Sequence, residues 1–444
     1  MSVRRKGLRT PVRFAATKAA MVAGACALAA IAACTPPPTG GGGGNPTTTT
    51  TTTIAGGTTT TLPPATTTTL VPGGTTTPTL VAGWAHTCSL RFDGQVRCWG
   101  NNAYGQLGLG TTTNSSVPQK VIGLTNVASI AAGGAHTCAV KTDQTAWCWG
   151  SNSDGQLGNG SLAAFSSTPV QVLPPDGISN YTAIAAGGAH TCAIRSTKQV
   201  SCWGDNFSGQ LGTGGNSSAG TPRSVAGLLN VEAIAAGNSH TCAVQTSGGV
   251  SCWGENSSGQ LGRGTFANAN VAGPVPGVSN AVAVQAGASF TCVTRASAQA
   301  ACWGTNAAGQ LGNGATLPPP PDPNDPNPPP PLKEATPQTI ASLGNVTILG
   351  TGSDAGCAVD SGLVVCWGTN DQGQIAKPAT TTASSTPLVV GGLTNIVGRA
   401  GGDGHTCAMN ASGAVWCWGD NGSGQLGNAT NTSSRTPVAI GPAL

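Results

Sequence analysis

Fourteen of the sixteen cysteines fall into seven pairs, and the chemistry open to such pairs is either a disulfide or part of a metal site. Six pairs share the spacing Cys-x9-Cys: Cys88/Cys98, Cys138/Cys148, Cys192/Cys202, Cys242/Cys252, Cys292/Cys302 and Cys407/Cys417. The seventh, Cys357/Cys366, is one residue shorter. Two strands folded about the midpoint of the longer spacing set their cysteines opposite each other across a three-residue loop such as Phe92-Asp93-Gly94, whose glycine suits the left-handed position. In the short pair the midpoint falls on Ser361-Gly362, and the opposition is kept. Cysteines opposed at non-hydrogen-bonded positions of an antiparallel pair lie within disulfide range, so seven intra-unit disulfides are expected. Zinc is the competing chemistry, because His86, His136, His190, His240 and His405 each stand two residues before a cysteine. Phe290 and Ala355 hold that place in the other two units, and structural zinc takes four ligands, so no metal is expected. The reading taken is a buried histidine that hydrogen-bonds between neighbouring units.

Those pairs need a scaffold that repeats, and the sequence repeats from Leu80 onward. Trp-Gly recurs at Trp99, Trp149, Trp203, Trp253, Trp303, Trp367 and Trp418, a period near fifty residues of the kind that marks propellers and solenoids. One unit reads Ile130 to Val140, Ala146-Trp-Cys-Trp-Gly150, Asn152-x-x-Gly-Gln-Leu-Gly158 and Pro169 to Val172. Each piece is a strand-length segment bounded by Gly, Asn or Pro, so a unit supplies four short strands and no helix. First and last units resemble their siblings, whereas an open stack would need polar caps. The expected fold is all-β, a seven-bladed propeller of four-stranded blades covering residues 80–444. Between Leu317 and Leu332, ten prolines lengthen one loop of the fifth unit.

Upstream the chain is different in kind. Residues 1–33 read as a signal peptide: a cationic start through Lys18, then an uncharged run of small and apolar residues. Ile31-Ala-Ala-Cys34 resembles a bacterial lipoprotein cleavage site, which makes Cys34 the expected lipidation residue. Residues 34–79, rich in Thr, Pro and Gly, have too little apolar surface to fold and read as a disordered linker. As a random coil that linker spans on the order of 35 to 40 Å. The protein is therefore expected outside the cytoplasm, on the outer face of the cell membrane or secreted. Past the signal, thirteen basic residues face fifteen acidic ones, a net charge of −2, and the cations are scattered. Nucleic-acid binding is excluded on that ground, and membrane contact is expected only through the lipid.

The runs Gly-x-x-His-Thr-x-Ala and Trp-Gly-x-Asn-x-x-Gly-Gln-Leu-Gly closely resemble the repeat of the regulator of chromosome condensation family. The resemblance covers residues 80–444 and implies a seven-bladed ring whose repeated residues serve the fold. It also offers guanine-nucleotide exchange, which sits poorly with an export signal, and, through an exported β-lactamase inhibitor protein of this fold, inhibition of a secreted hydrolase. The sixth unit departs from the pattern at Ala355 and at Gln374-Ile375-Ala376. No phosphate loop, nucleophile elbow or His-Glu-x-x-His motif is present, so neither catalysis nor a cofactor is expected. The expected function is a non-catalytic, monomeric scaffold that recognises a protein or cell-wall glycan. Its contact residues should be those that vary among equivalent loops, and Trp84, Tyr104 and Phe207 are the candidates, aromatics being favoured interface anchors.

Overall fold

In the computed structural model of the chain, residues 78–440 are described, except 162, 316 and 318–331. The expected signal peptide, Cys34, nearly all of the linker and the body of the proline insertion lie outside the described residues. Among the described residues, twenty-eight strands form seven four-stranded antiparallel sheets, each built from four consecutive strands. Blade 1 contains β1 (Thr79–Ala82), β2 (His86–Leu90), β3 (Val96–Gly100) and β4 (Ser115–Lys120). Blades 2 to 7 follow at 127–171, 181–224, 231–274, 281–339, 346–389 and 396–439. First strands of adjacent blades touch around the axis, and the ring closes where β1 meets the first strand of blade 7. The seven-bladed, all-β propeller expected from the repeat is therefore what the chain forms.

Burial explains why the strands read as continuous apolar runs and not as alternating ones. Both faces of β2 meet a neighbouring blade, and all five of its residues are buried. First strands are edges buried around the axis, and fourth strands are the outer edges, a mixture of half-buried and exposed residues. Six of the seven carry a proline at the same place (Pro118, Pro169, Pro222, Pro337, Pro387 and Pro437), and the strand of blade 4 ends on Pro274. Each proline denies the edge a donor for pairing with another chain.

The cysteines oppose each other in register on the second and third strands of every blade. Cys88 faces Cys98, Cys138 faces Cys148, Cys192 faces Cys202 and Cys242 faces Cys252. Cys292 faces Cys302 and Cys407 faces Cys417 in the same way, and Cys357 faces Cys366 across the shorter turn. All seven pairs have sulfurs at bonding distance, 2.04 to 2.12 Å, and Cα atoms 4.0 to 4.1 Å apart, so each is a disulfide within one blade. Gly94 takes the left-handed conformation expected of the three-residue loop, and Gly362 in the shorter turn takes it too. The glycine of each Trp-Gly is equally required: at Gly100, φ is 102° and a Cβ would lie 2.5 Å from the Ala85 carbonyl oxygen.

Candidate functional site

Antiparallel order sends the β1–β2 turn and the β3–β4 loop to one end of every blade, and the β2–β3 hairpin and interblade link to the other. The first end, here the loop face, is where the variable residues sit. Its loops are all built alike. Asn102 Oδ1 accepts the Leu107 N–H at 2.9 Å, its Nδ2 donates to the Thr111 and Thr113 carbonyls, and Gln106 Oε1 accepts the Tyr104 N–H at 2.9 Å. The Asn Oδ1 bond recurs in every blade. So does the Gln bond, and the backbone at Tyr104, Asp154, Ser208, Ser258, Ala308, Gln372 and Ser423 is held in one conformation while the side chain changes.

Gln106 also joins blades. Its carbonyl accepts Trp149 Nε1–H at 2.9 Å and Thr137 Oγ1–H at 2.8 Å from blade 2. Trp99 and Thr87 do the same to the Gln425 carbonyl across the closure. Each histidine then reaches forward: His86 Nε2 lies 2.9 Å from Thr137 Oγ1, and His405 Nε2 lies 2.8 Å from Thr87 Oγ1. Because the threonine spends its proton on the glutamine carbonyl, it accepts from the imidazole, which fixes the Nε2–H tautomer. Burial, with neighbouring imidazoles adding, holds His86, His136 and His240 at about 3, and burial alone does so for His190. His405 rests at about 4, burial outweighing the opposing pull of Asp420. The histidines therefore belong to the joints, as expected from the repeat, and the cysteines beside them are bonded to each other.

Around the axis the β1–β2 turns form a backbone ring. Trp84 N–H donates to Gly134, Gly134 to Gly187, Gly188 to Asn238, Asn238 to Ala288, Ala288 to Ser353, Ser353 to Gly402 and Asp403 to Trp84, all at 3.1 to 3.3 Å. Trp84 is half-buried there, its indole lying over Gly134. Tyr104 is 50% and Phe207 86% exposed, both on outer loops. The three candidates share a face but not one patch, since blade 2 stands between Tyr104 and Phe207, and Trp84 belongs to the inner turn. Sequence reasoning picked Phe207 but took the Tyr104 position as the variable one; the residue before it in each loop is exposed in every blade, at Ala103, Ser153, Phe207, Ser257, Ala307, Asp371 and Gly422. The signal was available, because this tip position is bonded by neither the Asn nor the Gln side chain of its loop.

Exposed aromatics therefore occupy four consecutive blades of this face, Tyr104, Phe165, Phe207 and Phe266, the last under the Lys333 ammonium at 4.4 Å. The same loops carry the carboxylates of Asp154, Asp205, Glu255, Asp371 and Asp420. At the inner turns burial pushes the Asp354 carboxyl up, with Asp403 and Asp371 adding, against a hydrogen bond from Gln310 Nε2. The hairpin face differs, being neutralised by the ion pairs Arg91–Asp93, Lys141–Asp143, Arg195–Asp176 and Lys198–Glu232.

Residues 41–329, well over half of the chain, match the family described as RCC1-like domain. The chain belongs to the RCC1-like domain family. A regulator of chromosome condensation (RCC1) repeat is matched again at residues 400–425. Among solved structures, yeast RCC1 (Prp20) bound to Kap60 superposes with a TM-score of 0.68 at 20% identity, covering 84% of this chain and 86% of that one. Prp20p from Saccharomyces cerevisiae gives a TM-score of 0.69 at 20% identity, covering 82% and 88%. Human WBSCR16 gives 0.68 at 20% identity, covering 79% and 95%. At that identity these RCC1-like neighbours share the propeller fold.

Proposed function

We infer that this RCC1-like propeller is a non-catalytic recognition module displayed outside the cytoplasm, and that it grips a protein partner with its loop face. The observation that carries the reading is the combination of seven loops with fixed backbones and unlike side chains, led by Phe207 at 86% exposure. An aromatic arc ringed by carboxylates suits a partner surface that is apolar at its centre and basic at its rim. Display outside the cell is supported by the leader and Cys34 pattern and by one disulfide per blade, since such bonds persist in oxidising compartments. The yeast neighbour was crystallised bound to Kap60, and Prp20p is described with its binding to Gsp1p and histones, so propellers of this shape do serve as protein-binding surfaces.

The test is affinity capture from the secreted and envelope proteins of the native cell with the 78–440 domain. One protein should be retained, and Tyr104→Ser with Phe207→Ser should weaken it about tenfold or more. Phe92→Ser, on the hairpin face, should leave capture unchanged. Retention of wall glycan with no protein, or capture indifferent to the loop-face pair, overturns the reading. Added protein that slows a secreted hydrolase in the same extract would identify the partner as an enzyme.

A further inference from the structure

The joint between blades 6 and 7 contains a residue that no other joint has. Facing the preceding blade, the residues Leu80, Ile130, Ile184, Ile234, Val284 and Leu349 are aliphatic and pair with the residue after the first cysteine of their own blade. In blade 7 that place, opposite Ala408, is held by Arg399, and it is only 7% exposed. The joint it lies in is otherwise apolar, with Ala355, Cys357, Val359, Ile396, Ala408 and Trp418 forming one buried cluster. Room for the guanidinium comes from two truncations on the face of blade 6 that meets it. Gly350 stands where other blades have Val81, Ala131 or Gln285, and a Cβ there would lie 2.4 Å from Nη1 of Arg399. Ala355 stands on the same face in place of the histidine.

None of Nε, Nη1 and Nη2 of Arg399 has a hydrogen-bond partner among the described residues. Five N–H donors and a positive charge are thus buried without an acceptor, an arrangement that proteins otherwise resolve with a hydrogen bond or a counter-charge. Burial without a carboxylate lowers the guanidinium to about 9, so it still carries its charge at neutral pH. Asp354, a buried acid of the adjoining blade, is held by Gln310 at the loop face.

We propose that Arg399 is an internal anion site, in which the guanidinium holds one small monovalent inorganic anion of the halide class between blades 6 and 7. One cation with apolar walls balances a single negative charge and would leave a dianion uncompensated. Walls without further donors favour a weakly hydrated ion such as chloride or bromide over fluoride. An anion that binds the folded ring and not the unfolded chain raises stability by mass action.

The experiment uses the full-length protein at constant ionic strength, with gluconate exchanged stepwise for chloride or bromide. The melting temperature of the wild type should rise saturably by about 2 °C or more, with fluoride much less effective. Arg399→Ile, which restores the residue type of the other blades, should fold and lose the halide response. Crystals grown in bromide should show an anomalous peak within hydrogen-bond distance of the guanidinium. Ordered water alone at those nitrogens overturns the site, as does a halide response unchanged in Arg399→Ile. A peak without any halide effect on melting would be an adventitious ion only, and would overturn it too.

Discussion

His136 and Thr191 show what one joint requires, because the chain also contains the substitution that does without them. In blade 5 the histidine is Phe290 and its partner in blade 6 is Gly356, so the hydrogen-bonded pair is exchanged for a large and an absent side chain, and Phe290 joins the apolar cluster with Trp367. The five remaining imidazoles carry an acid liability. Their folded values of about 3 to 4 lie below the unfolded 6.5, so below that pH the unfolded chain binds more protons. Stability is fully present above pH 6.5 and is lost as pH falls toward 4 and 3, by on the order of 1.4 kcal/mol per pH unit for each imidazole. Urea unfolding at pH 7 and pH 4.5 should show this loss. His136→Phe with Thr191→Gly, copying blade 5, should reduce it by roughly one imidazole's share, and an equal loss in both proteins would refute the assignment.

At the scale of an element, the Gln-Leu-Gly loop sets how closely consecutive blades approach. Its final glycine is left-handed, and a Cβ on Gly158 or Gly262 would lie 2.6 Å from Nε1 of the next blade's tryptophan. Blade 6 has Ala376 there, at φ 55° and packed on the cluster that contains Trp418. The left-handed form costs a residue with a Cβ roughly 1 to 2 kcal/mol, and glycine's greater unfolded entropy returns part of that. Ala376→Gly should therefore stabilise the domain by about 0.5 to 1 kcal/mol in chemical denaturation. A neutral or negative result would mean that the loop has repacked around the methyl group. The same element presents the recognition residues, which is why a stiff loop and a variable tip coexist: Asn102 and Gln106 hold the backbone without bonding the side chain at the Ala103 position.

For the whole molecule, closure is the decisive feature. Among the described residues no strand is exchanged between the first and last blades; the seam uses the Trp99 and Thr87 bonds to Gln425, the His405 contact to Thr87 and a core that includes Leu80, Ala82, Cys407 and Leu426. It is chemically the same joint as the four between blades 1 and 5, so the start of the ring is arbitrary. A permutant that joins Ile440 to Thr79 by a six-residue link and opens the chain at Gly123, where a Cβ would meet nothing, should fold to a monomer. Its stability should lie within about 1 to 2 kcal/mol of the parent, since loop closure depends only weakly on length. Aggregation, or a transition split in two, would show that the seam is weaker than its sisters.

Sequence alone determined the blade count, the strand pieces, the cysteine pairing and the structural use of the histidines. All four are local or periodic. Cysteines ten residues apart on a hairpin, such as Cys138 with Cys148 or Cys192 with Cys202, must face each other, and a repeat near fifty residues can bury its faces only against copies of itself. What the sequence left open were relations between residues far apart in the chain. Whether the termini share a blade, how Trp84, Tyr104 and Phe207 are distributed over one face, and which loop residue projects furthest depend on how seven sheets pack around an axis. Arg399 is the sharpest case. In the sequence it is one scattered cation on a strand, and only the meeting of blade 7 with Gly350 and Ala355 of blade 6 makes it a buried charge.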